Sequence, residues 1–322
     1  MELMTYWTGS SEALVKEAKK QGYQVEILSE KDNFFVVKSD TKEVFFKSTD
    51  FGGNSSLALK ICNDKFLSHL FLERYNFPVA KTREISRENF DFGTEDFSDF
   101  TFPLVVKPVD DGHGNGVKMN ISDKKELKKA IEESFQKYSK ILIQTQASGE
   151  DHRVLVVGGE VAIAYKRVPP SVVGDGKTTI LSLIEKENKN NPLRGEGYTN
   201  VLSKIKIDDE LKNTIQKQGY TLESILEEDK KIFVRSNGNV GTGGYVQNVT
   251  NKVNEEIRKM VVEIAQKLNM KICGVDVMTD DISCPLSQTK GIILELNATP
   301  GISGIFETTG VNVAEKIIKT VL

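Results

Sequence analysis

The chain has 322 residues, of which 28% are charged, and a formal net charge of −3. This length allows a substantial core and more than one domain, and the near balance of charges gives no general attraction to nucleic acid or to anionic membranes. No apolar run approaches the length of a membrane span, and no basic segment precedes an apolar one at the start. Three cysteines without metal-ligand spacing favour a reduced interior in which they are small buried residues. We therefore expect a cytoplasmic protein without nucleic-acid or membrane partners.

The first part of the chain predicts a small α/β unit followed by a capped helix. Apolar residues at helical spacing predict an amphipathic helix over 10–22. Short alternating runs predict strands at 23–28, 34–37 and 44–46. A further helix is expected to begin at Asn63 or Asp64, either of which can cap it, and to stop before Pro78. Lys65 then lies in the first turn of this helix.

The remaining elements are predicted from the same two periodicities. Strands are expected at 102–108, 141–144, 154–157 and 161–164, the last two as a hairpin through Gly158 and Gly159. Charged or amphipathic helices are expected at 122–138 and 254–268. The last segment of the chain is 314–322. The polar, Gly- and Asn-rich stretches 186–197 and 235–244 are predicted to be loops. Loops of this length inside a compact domain are often functional.

A carboxylate and an amide lie two residues apart on one predicted strand. Glu295 and Asn297 belong to the apolar run 292–297, so their oxygen atoms should lie on one face of that strand. Asp276 interrupts an earlier apolar run, and the polar segment 280–290 could fold the two runs together. The ordinary alternative is a set of strand residues on a solvated face. Oxygen ligands that converge in an apolar setting would instead hold a hard cation such as Mg²⁺.

A lysine at a strand end precedes a glycine-rich loop. Lys107 is followed by Gly112, His113, Gly114 and Gly116. Glycines let backbone N–H groups approach phosphate oxygens, and the lysine supplies a positive charge. Glycine and asparagine are also the residues that ordinary turns need, so a plain turn is the alternative.

The segment 174–179 imitates a nucleotide-binding P-loop. The motif requires glycine at the position that Ser171 holds, so the segment does not match it. We interpret the segment as a hairpin turn without a catalytic role.

Taken in order, these parts resemble the ATP-grasp carboxylate–amine ligases. The likeness is greatest to the ATP-grasp portion of cyanophycin synthetase and of the bifunctional bacterial glutathione synthetases. The resembling segments, which run from about residue 10 to the end, are VEILSEKDNFFVVK, KPVDDGHGNGV, GEDHRVLVVGGEV, VVGDGKTTI, NPLRGEG, KQGYTLESIL, NVGTGGYVQNVT, CGVDVM and LELNATPG. The resemblance implies an α+β ATP-grasp fold. Its implied parts are an N-terminal α/β region with the first nucleotide-contacting helix at 1–100, a small lid subdomain at 101–148 and a large subdomain with the metal site at 149–322.

The resemblance also implies roles for individual residues. Those implied to contact the nucleotide are Lys65, Lys107, Gly112, His113, Gly114, Gly116, Gln144, Thr145, Gln146, Ala147 and Asp151. Those implied to hold Mg²⁺, as two ions for which Mn²⁺ could substitute, are Asp276, Glu295 and Asn297. Those implied to lie near an acyl-phosphate are Arg153, Arg235 and Asn239. The family prefers an acidic residue in the adenine hinge, where this chain has Gln144 and Gln146. His69, on the same predicted helix as Lys65, is expected to be structural.

The activity implied by the resemblance is ATP- and Mg²⁺-dependent joining of a carboxylate to an amine through an acyl-phosphate, with release of ADP and phosphate. The expected substrates are amino acids or short peptides, γ-glutamyl peptides among them, and a homo-oligomer is left open. Two alternatives on the same fold are a non-catalytic nucleotide-binding regulatory protein and a small-molecule kinase. The presence of Asp276, Glu295 and Asn297 argues against a degenerate, regulatory site.

Overall fold

The structure is a computed structural model that describes residues 7–109, 116–196 and 200–322. The helices are α1 (Gly9–Lys20), α2 (Ser56–Asn63), α3 (Lys65–Arg74), α4 (Lys124–Phe135), α5 (Ile180–Asn190), α6 (Asp209–Lys217), α7 (Glu255–Lys267), α8 (Leu286–Thr289), α9 (Ile305–Thr309) and α10 (Val313–Val321). The strands are β1 (Gln24–Ser29), β2 (Phe34–Lys38), β3 (Glu43–Lys47), β4 (Thr82–Ser86), β5 (Leu104–Pro108), β6 (Lys118–Ile121), β7 (Lys140–Thr145), β8 (Glu150–Val157), β9 (Glu160–Val168), β10 (Ser171–Val173), β11 (Arg194–Gly195), β12 (Leu202–Ser203), β13 (Lys231–Phe233), β14 (Tyr245–Asn248), β15 (Ile272–Thr279) and β16 (Ile292–Asn297). Helices are mixed with largely antiparallel strand pairs, which confirms the predicted α+β class. Within the three described ranges, no helix has both the length and the apolar character needed to cross a membrane.

The chain divides into two compact units, each assembled from separated stretches of sequence. The first unit contains the chain up to Gly53 together with Arg153–Asn251 and Thr299–Leu322. The second unit contains Asn54–His152 and Lys252–Ala298. These units group the chain differently from the three contiguous segments expected from the sequence, because packing joins elements that are far apart along the chain. The three contiguous subdomains remain a prediction.

The beginning of the first unit is the small α/β arrangement that the sequence predicted. β1, β2 and β3 form an antiparallel sheet in this order, and α1 contacts both β1 and α10. Phe35 and Phe46 are fully buried in this core, and their rings stack with centroids 5.0 Å apart. Further along the chain, β9 lies between β8 and β14, as expected of a hairpin through Gly158 and Gly159. Lys38 of β2 forms an ion pair with Glu43 of β3, and their charged atoms lie 3.0 Å apart.

A small core inside the first unit was not predicted. β10 pairs with β13. Helices α5 and α6 contribute four buried residues to the same core, namely Ile180, Ile184, Leu211 and Ile215. The predicted loop at 186–197 is wrong in its first part, since α5 continues to Asn190. Apolar residues four apart in α5 face this core, and their burial stabilises a helix whose second half is polar.

The segment 174–179 leads into a helix instead of joining two strands, so the predicted hairpin turn is wrong. Asp175 accepts hydrogen bonds from the backbone amides of Lys177 and Thr178, at 3.0 and 2.8 Å. Thr179 is the N-cap of α5. The aspartate and threonine therefore serve a helix start, which is a common use of such residues.

The second unit contains a four-stranded antiparallel sheet whose two faces differ in character. The strand order is β4-β7-β5-β6, and α4 contacts β5, β6 and β7. The face towards α4 is apolar, with Val106 and Ile143 fully buried in the core. Because side chains alternate along a strand, the next residues, Lys107 and Gln144, point to the opposite face.

The two apolar runs that carry Asp276 and Glu295 form an antiparallel hairpin in the second unit, as predicted. β15 and β16 are joined by a polar segment that includes the short helix α8. α7 contacts β15, while α2 and α3 contact β16. The carboxylate strands are thus packed against three helices that all precede them in the sequence.

Candidate functional site

A cleft in the second unit brings together charged and polar residues from four separated parts of the sequence. Lys65 and His69 come from α3, Lys107 from β5, Gln144 from β7 and Glu295 from β16. Residues 65, 68, 69 and 72 follow helical spacing, so one stripe of α3 lines this cleft. Two lysines and a carboxylate therefore share one concave site.

Lys65 is placed by the start of α3. Asp64 is the N-cap, and its carboxylate accepts hydrogen bonds from the amides of Phe66 and Leu67, both at 2.9 Å. The backbone amide of Lys65 donates to the carbonyl of Val109 at 3.2 Å, directly after β5. The helix start is thereby tied to the strand that carries the second lysine of the cleft.

Lys107 is a buried cation beside a neutral partner. The residue is 8% exposed, and its Nζ donates to Gln144 Oε1 at 2.9 Å. Burial lowers the pKa of Lys107 to about 8; the charge of Glu295 opposes this shift, and the charge of Lys65 adds to it. The ammonium is therefore held in the cleft at a free-energy cost that a bound anion would relieve.

The side-chain amide of Gln144 is fixed by hydrogen bonds at both of its ends. Oε1 accepts from Lys107, while Nε2 donates to Thr82 Oγ1 at 2.8 Å. Thr82 in turn donates its hydroxyl hydrogen to the carbonyl of Ala80 at 2.9 Å. Since that hydrogen is already used, the hydroxyl accepts from Gln144, and this sets the orientation of the amide. Gln144 therefore positions the Lys107 ammonium.

The pairing of β15 with β16 places three oxygen-bearing side chains on one face. Asp276 lies opposite Glu295, and Gly274 lies opposite Asn297. Opposed residues of an antiparallel pair point to the same side, and so do residues two apart on one strand. A β-bulge at Leu294 shifts the earlier part of β16 by one residue and leaves these two pairs in register. The carboxylate of Glu295 is thus flanked by an acid across the hairpin and an amide along it.

The charge of Glu295 also acts on a neighbouring thiol. Burial, and to a smaller degree the charge of Glu295, raises the pKa of Cys62 to about 12. Cys62 and Cys273 are buried and Cys284 is half-buried, and all three are free thiols. Cys62 is therefore uncharged at neutral pH, which agrees with its expected role as a small buried residue.

The donor set on the hairpin fits a hard divalent cation. Asp276 is 2% exposed, and the Nδ2 atom of Asn297 is buried without a hydrogen-bond partner among the described residues. Turning that amide over would place its oxygen at the same point, because the two orientations have the same shape. In the described part of the chain, no three His, Cys, Asp or Glu side chains form a metal cage. A cation here would complete its shell with water or phosphate oxygens.

The predicted adenine hinge begins in the last two residues of β7 and continues beyond the strand, and its longer side chains are engaged within the second unit. Gln146 bonds Asn120 twice: Oε1 accepts from the Asn120 backbone amide at 2.6 Å, and Nε2 donates to Asn120 Oδ1 at 3.0 Å. The backbone amide of Thr145 donates to the carbonyl of the residue before β4, at 2.9 Å. Ala147 is half-buried, and Asp151 lies on β8. These contacts fix the course of the hinge backbone.

Most of the predicted glycine loop, namely Gly112, His113 and Gly114, lies outside the described residues. Gly116 is described, and its φ is +68°. A Cβ at this position would meet the Tyr138 hydroxyl at 2.6 Å and the Tyr138 ring at 2.8 Å. The left-handed backbone and the close ring both require glycine at this position.

Arg235, one of the three residues expected near an acyl-phosphate, is buried in the first unit and held by two carboxylates. Its guanidinium donates to Asp208 Oδ1 at 2.8 Å and to the carboxylate of Glu210. Glu210 also accepts from the side chains of Ser236 and Asn237, at 3.0 and 2.9 Å. These bonds fasten the beginning of the glycine-containing loop 235–244 to the start of α6.

The other two residues of that group also belong to the first unit. Asn239 accepts from the backbone amide of Gly241 at 2.9 Å and so caps the 3₁₀ turn Val240–Thr242. The amide of Gly244 donates to the Asn239 carbonyl at 3.0 Å, which closes the loop on itself. Arg153 lies on β8. The polar stretch predicted to be a loop therefore contains a hydrogen-bonded 3₁₀ turn.

His69 lines the cleft, whereas the sequence suggested only a structural role. The residue is buried, and burial lowers its pKa; Glu73 opposes this shift and Lys107 adds to it. The imidazole is therefore neutral at pH 7 and beside a lysine. Helical spacing from Lys65 was the available signal, since residues four apart on a helix share one side.

Two family models match adjoining parts of the chain. The model for the D-ala D-ala ligase C-terminus matches residues 66–227, which is half of the chain. The model for the RimK-like ATP-grasp domain matches residues 227–321. Apart from Lys65, every described residue that lines the cleft lies within these two matched ranges.

The alignments with curated relatives cover most of this chain but only a minor part of each relative. Cyanophycin synthetase of Synechocystis sp. is 36% identical over 250 residues, which are 76% of this chain and 28% of that protein. The glutathione biosynthesis bifunctional protein GshAB of Clostridium perfringens is 31% identical over 297 residues, which are 91% of this chain and 38% of that protein. The chain thus spans well under half the length of the curated relatives it matches.

Solved structures share the fold at lower identity. A bifunctional glutathione synthetase from Pasteurella multocida superposes with a TM-score of 0.73 at 24% identity, covering 97% of this chain and 44% of that chain. D-alanine–D-alanine ligase from Bacillus anthracis superposes with a TM-score of 0.50 at 18% identity, covering 84% of this chain and 68% of that chain. At these identities the likeness concerns the fold alone.

Proposed function

Since this chain belongs to the ATP-grasp family, we propose that it is a carboxylate–amine ligase that uses ATP and a divalent metal ion, generally Mg²⁺. A substrate carboxylate would be activated as an acyl-phosphate, and an amine would then displace the phosphate, leaving ADP as the other product. Positioning and charge stabilisation supply most of the catalysis in phosphoryl transfer, so no nucleophilic serine or cysteine is required.

The observation that carries this proposal is the arrangement of Lys65, Lys107 and Glu295 around one cleft of the second unit. Lys107 is anchored by a neutral amide, so its positive charge remains available to an anionic ligand. A nucleotide triphosphate is such a ligand, and lysine is a common phosphate-binding residue. Lys65 would add a second charge from the start of α3.

We assign the divalent cation to Asp276, Glu295 and Asn297. Two carboxylates and one amide on a single face leave coordination positions for phosphate and water, which is the usual arrangement for Mg²⁺ beside a nucleotide. When bound, the cation would offset negative charge on the phosphate oxygens. We propose two ions, with Mn²⁺ as a substitute.

The other predicted residues receive proposed roles from the same resemblance. The residues proposed to cover the phosphates are Gly112, His113, Gly114 and Gly116. Those proposed to contact adenine and ribose are Gln144, Thr145, Gln146, Ala147 and Asp151. Those proposed to act near the acyl-phosphate are Arg153, Arg235 and Asn239. Because Arg235 is engaged by Asp208 and Glu210, a contact with substrate would require it to exchange partners.

The proposed substrates are small amino acids or short peptides, γ-glutamyl peptides included. The relatives are named for cyanophycin synthesis and for glutathione biosynthesis. One of the two family models is named for a D-ala D-ala ligase. We propose that the carboxylate donor and the amine acceptor both come from this class. The matched relatives extend well beyond this chain, so their names guide the choice of compounds to test.

A screen for ADP release tests the proposed activity. The protein is incubated with ATP, Mg²⁺ and pairs of amino acids or dipeptides, and the products are followed by a coupled ADP assay and mass spectrometry. A ligase forms ADP and an amide only when both the carboxylate and the amine are present. ADP with a phosphorylated compound and no need for an amine would indicate a kinase. Tight ATP binding without substrate-dependent ADP would indicate a regulatory protein.

Nucleotide affinity should fall as the pH rises through about 8. The pKa of Lys107 is lowered to about 8, and nearby phosphates would raise it, because an opposite charge favours the charged form. Binding above pH 8 must then take up a proton, and the affinity should fall by up to about tenfold per pH unit. Calorimetric titration of ATP between pH 7 and 9.5, in buffers of different ionisation enthalpy, measures both the affinity and the number of protons taken up on binding.

The Lys107→Met variant is the control for this pH dependence. It lacks the titrating group, so its weaker affinity should stay constant over the same range. Proton uptake on binding should vanish as well. A wild-type affinity that does not change between pH 7 and 9.5 would contradict a phosphate contact by Lys107.

A further inference from the structure

The buried side chain of Asn54 uses its full hydrogen-bonding capacity on the ends of the metal-site hairpin. Nδ2 donates to the carbonyls of Ile272 at 2.9 Å and Ala298 at 2.7 Å. Oδ1 accepts from the backbone amides of Lys271 at 2.9 Å and Ile272 at 3.1 Å. An asparagine amide offers two donor hydrogens and two acceptor positions, so all four are satisfied. Such a network is rigid and costly to disturb.

These bonds close the open end of the hairpin. Ile272 is the first residue of β15, and Ala298 directly follows Asn297, the last residue of β16. One side chain therefore joins two strand ends that could otherwise fray. A slip of the pairing by one residue would turn Asp276 and Glu295 to opposite faces, and the bonds of Asn54 to both strand ends oppose such a slip.

Asn54 also begins the segment that leads to Lys65. The next residue, Ser55, caps α2 by accepting from the Ala58 amide at 3.0 Å. The backbone amide of Ser55 donates to the carbonyl of Asn269, just after α7, at 3.4 Å. α2 is followed directly by α3, which starts with Lys65, and both helices contact β16. Asn54 thus lies at the junction of the lysine-bearing helices and the carboxylate-bearing hairpin.

We propose that Asn54 is a positioning residue that sets the hairpin carrying Asp276, Glu295 and Asn297 against the helices carrying Lys65. This inference rests on the proposed function only for the identity of the ligands, a divalent cation and nucleotide phosphates. Asn54 acts through the backbone that it holds. Mg²⁺ and Mn²⁺ need closely defined oxygen geometry, so a small displacement of the hairpin weakens metal binding more than it weakens nucleotide binding.

Metal titration of the full chain tests the proposal. Mn²⁺ binding in the presence of ADP is measured by electron paramagnetic resonance, and ADP binding without metal by calorimetry, for wild type, Asn54→Ala and Asn54→Asp. The aspartate variant keeps the size of the side chain but turns an oxygen towards two carbonyls. In both variants the Mn²⁺ affinity should fall about tenfold or more, as for other residues that orient metal ligands. The metal-free ADP affinity should change by less than about twofold.

Asn254→Ala is the matched control. Asn254 caps α7 in the same unit by accepting from the Glu256 amide at 2.9 Å, and it donates to the Ser283 carbonyl at 3.1 Å in the segment that joins β15 and β16, at the end of the hairpin opposite Asn54. Its loss should lower stability without changing Mn²⁺ affinity, because it does not hold the strand ends beside Glu295 and Asn297. Should Asn54→Ala fail to fold, the isosteric aspartate variant decides the question, with hydrogen exchange of β15 and β16 amides as the second readout. We expect faster exchange at residues 273–277 and 293–297 in that variant.

Unchanged Mn²⁺ affinity in the Asn54 variants would overturn the proposal. Equal losses of metal affinity and metal-free ADP affinity would also overturn it, because they indicate general destabilisation. A wild-type chain that binds Mn²⁺ with ADP but turns over no substrate pair would refute the ligase activity, and the measured role of Asn54 would stand. A wild-type chain that binds neither would refute both.

Discussion

Replacing Glu295 with glutamine is expected to lower turnover by about a hundredfold or more, the scale of losing a principal charge-stabilising contact in a transition state. Glutamine has nearly the same shape, and Glu295 is half-buried at the cleft, so the fold should remain intact. The change removes one of the two carboxylates of the proposed metal face and the negative charge that acts on Lys107. ADP release at saturating ATP, measured over a range of Mg²⁺ concentrations, gives the effect.

Glu263→Gln is the matched control for that variant. Glu263 lies on α7 in the same unit, is 54% exposed and pairs with Lys267 at 3.3 Å. Exposed ion pairs contribute little to stability, so this change should leave turnover, circular dichroism and the melting temperature unaltered. If Glu295→Gln turned over at the wild-type rate at low Mg²⁺, the assignment of the metal to the hairpin would be wrong.

Local periodicity was enough to predict the parts of the site that lie within one element. The two-residue period of a strand predicts the shared face of Glu295 and Asn297, and the polar segment between the two apolar runs predicts the hairpin that adds Asp276. The capping preference of aspartate predicts the helix start that presents Lys65. In each case the information lies within one element or in the short segment that joins two consecutive strands.

The contacts that organise the cleft join residues far apart along the chain, and no local pattern encodes them. The hydrogen bond from Lys107 to Gln144 spans 37 residues, and that from Asn54 to Ala298 spans 244. A single asparagine in a linking segment has no periodic signal, and a glutamine at a strand end is equally consistent with an exposed surface. The bulge at Leu294 is likewise visible only once the partner strand is known.

Composition misled the prediction where polar residues occupy the exposed side of a helix. The lysines and asparagines of α5 suggested a loop from residue 186 onward, since asparagine favours turns. Burial of Ile180 and Ile184 in the small core of the first unit outweighs that local preference. Tertiary packing of this kind stabilises a helix whose sequence alone gives a weak signal.

Replacing Lys107 with methionine is expected to stabilise the protein while weakening nucleotide binding and turnover. The pKa of Lys107 lies at about 8 instead of the ordinary 10.5. A shift of that size corresponds to a cost on the order of 3 kcal/mol for keeping the buried ammonium charged in the folded state. Methionine retains the apolar stem and removes the charge, and the lost hydrogen bond to Gln144 offsets about 1 kcal/mol of the gain. The free energy of unfolding at pH 7 should therefore rise by about 1–2 kcal/mol.

The stability difference between Lys107→Met and wild type should depend on pH with a defined sign. Because the folded pKa of Lys107 is lower than the unfolded one, the cost is fully present below pH 8 and disappears as the pH rises from about 8 to 10.5. Urea unfolding of wild type should show a gain in stability over this window that the variant lacks. Lys140→Met, at a 56% exposed lysine on β7 that pairs with Glu84 at 3.1 Å, should leave stability and nucleotide affinity unaltered. A Lys107→Met variant less stable than wild type at pH 7 would mean that the lysine supports the fold. That result would contradict the proposal that the cleft holds the Lys107 charge, at a cost in stability, for an anionic ligand.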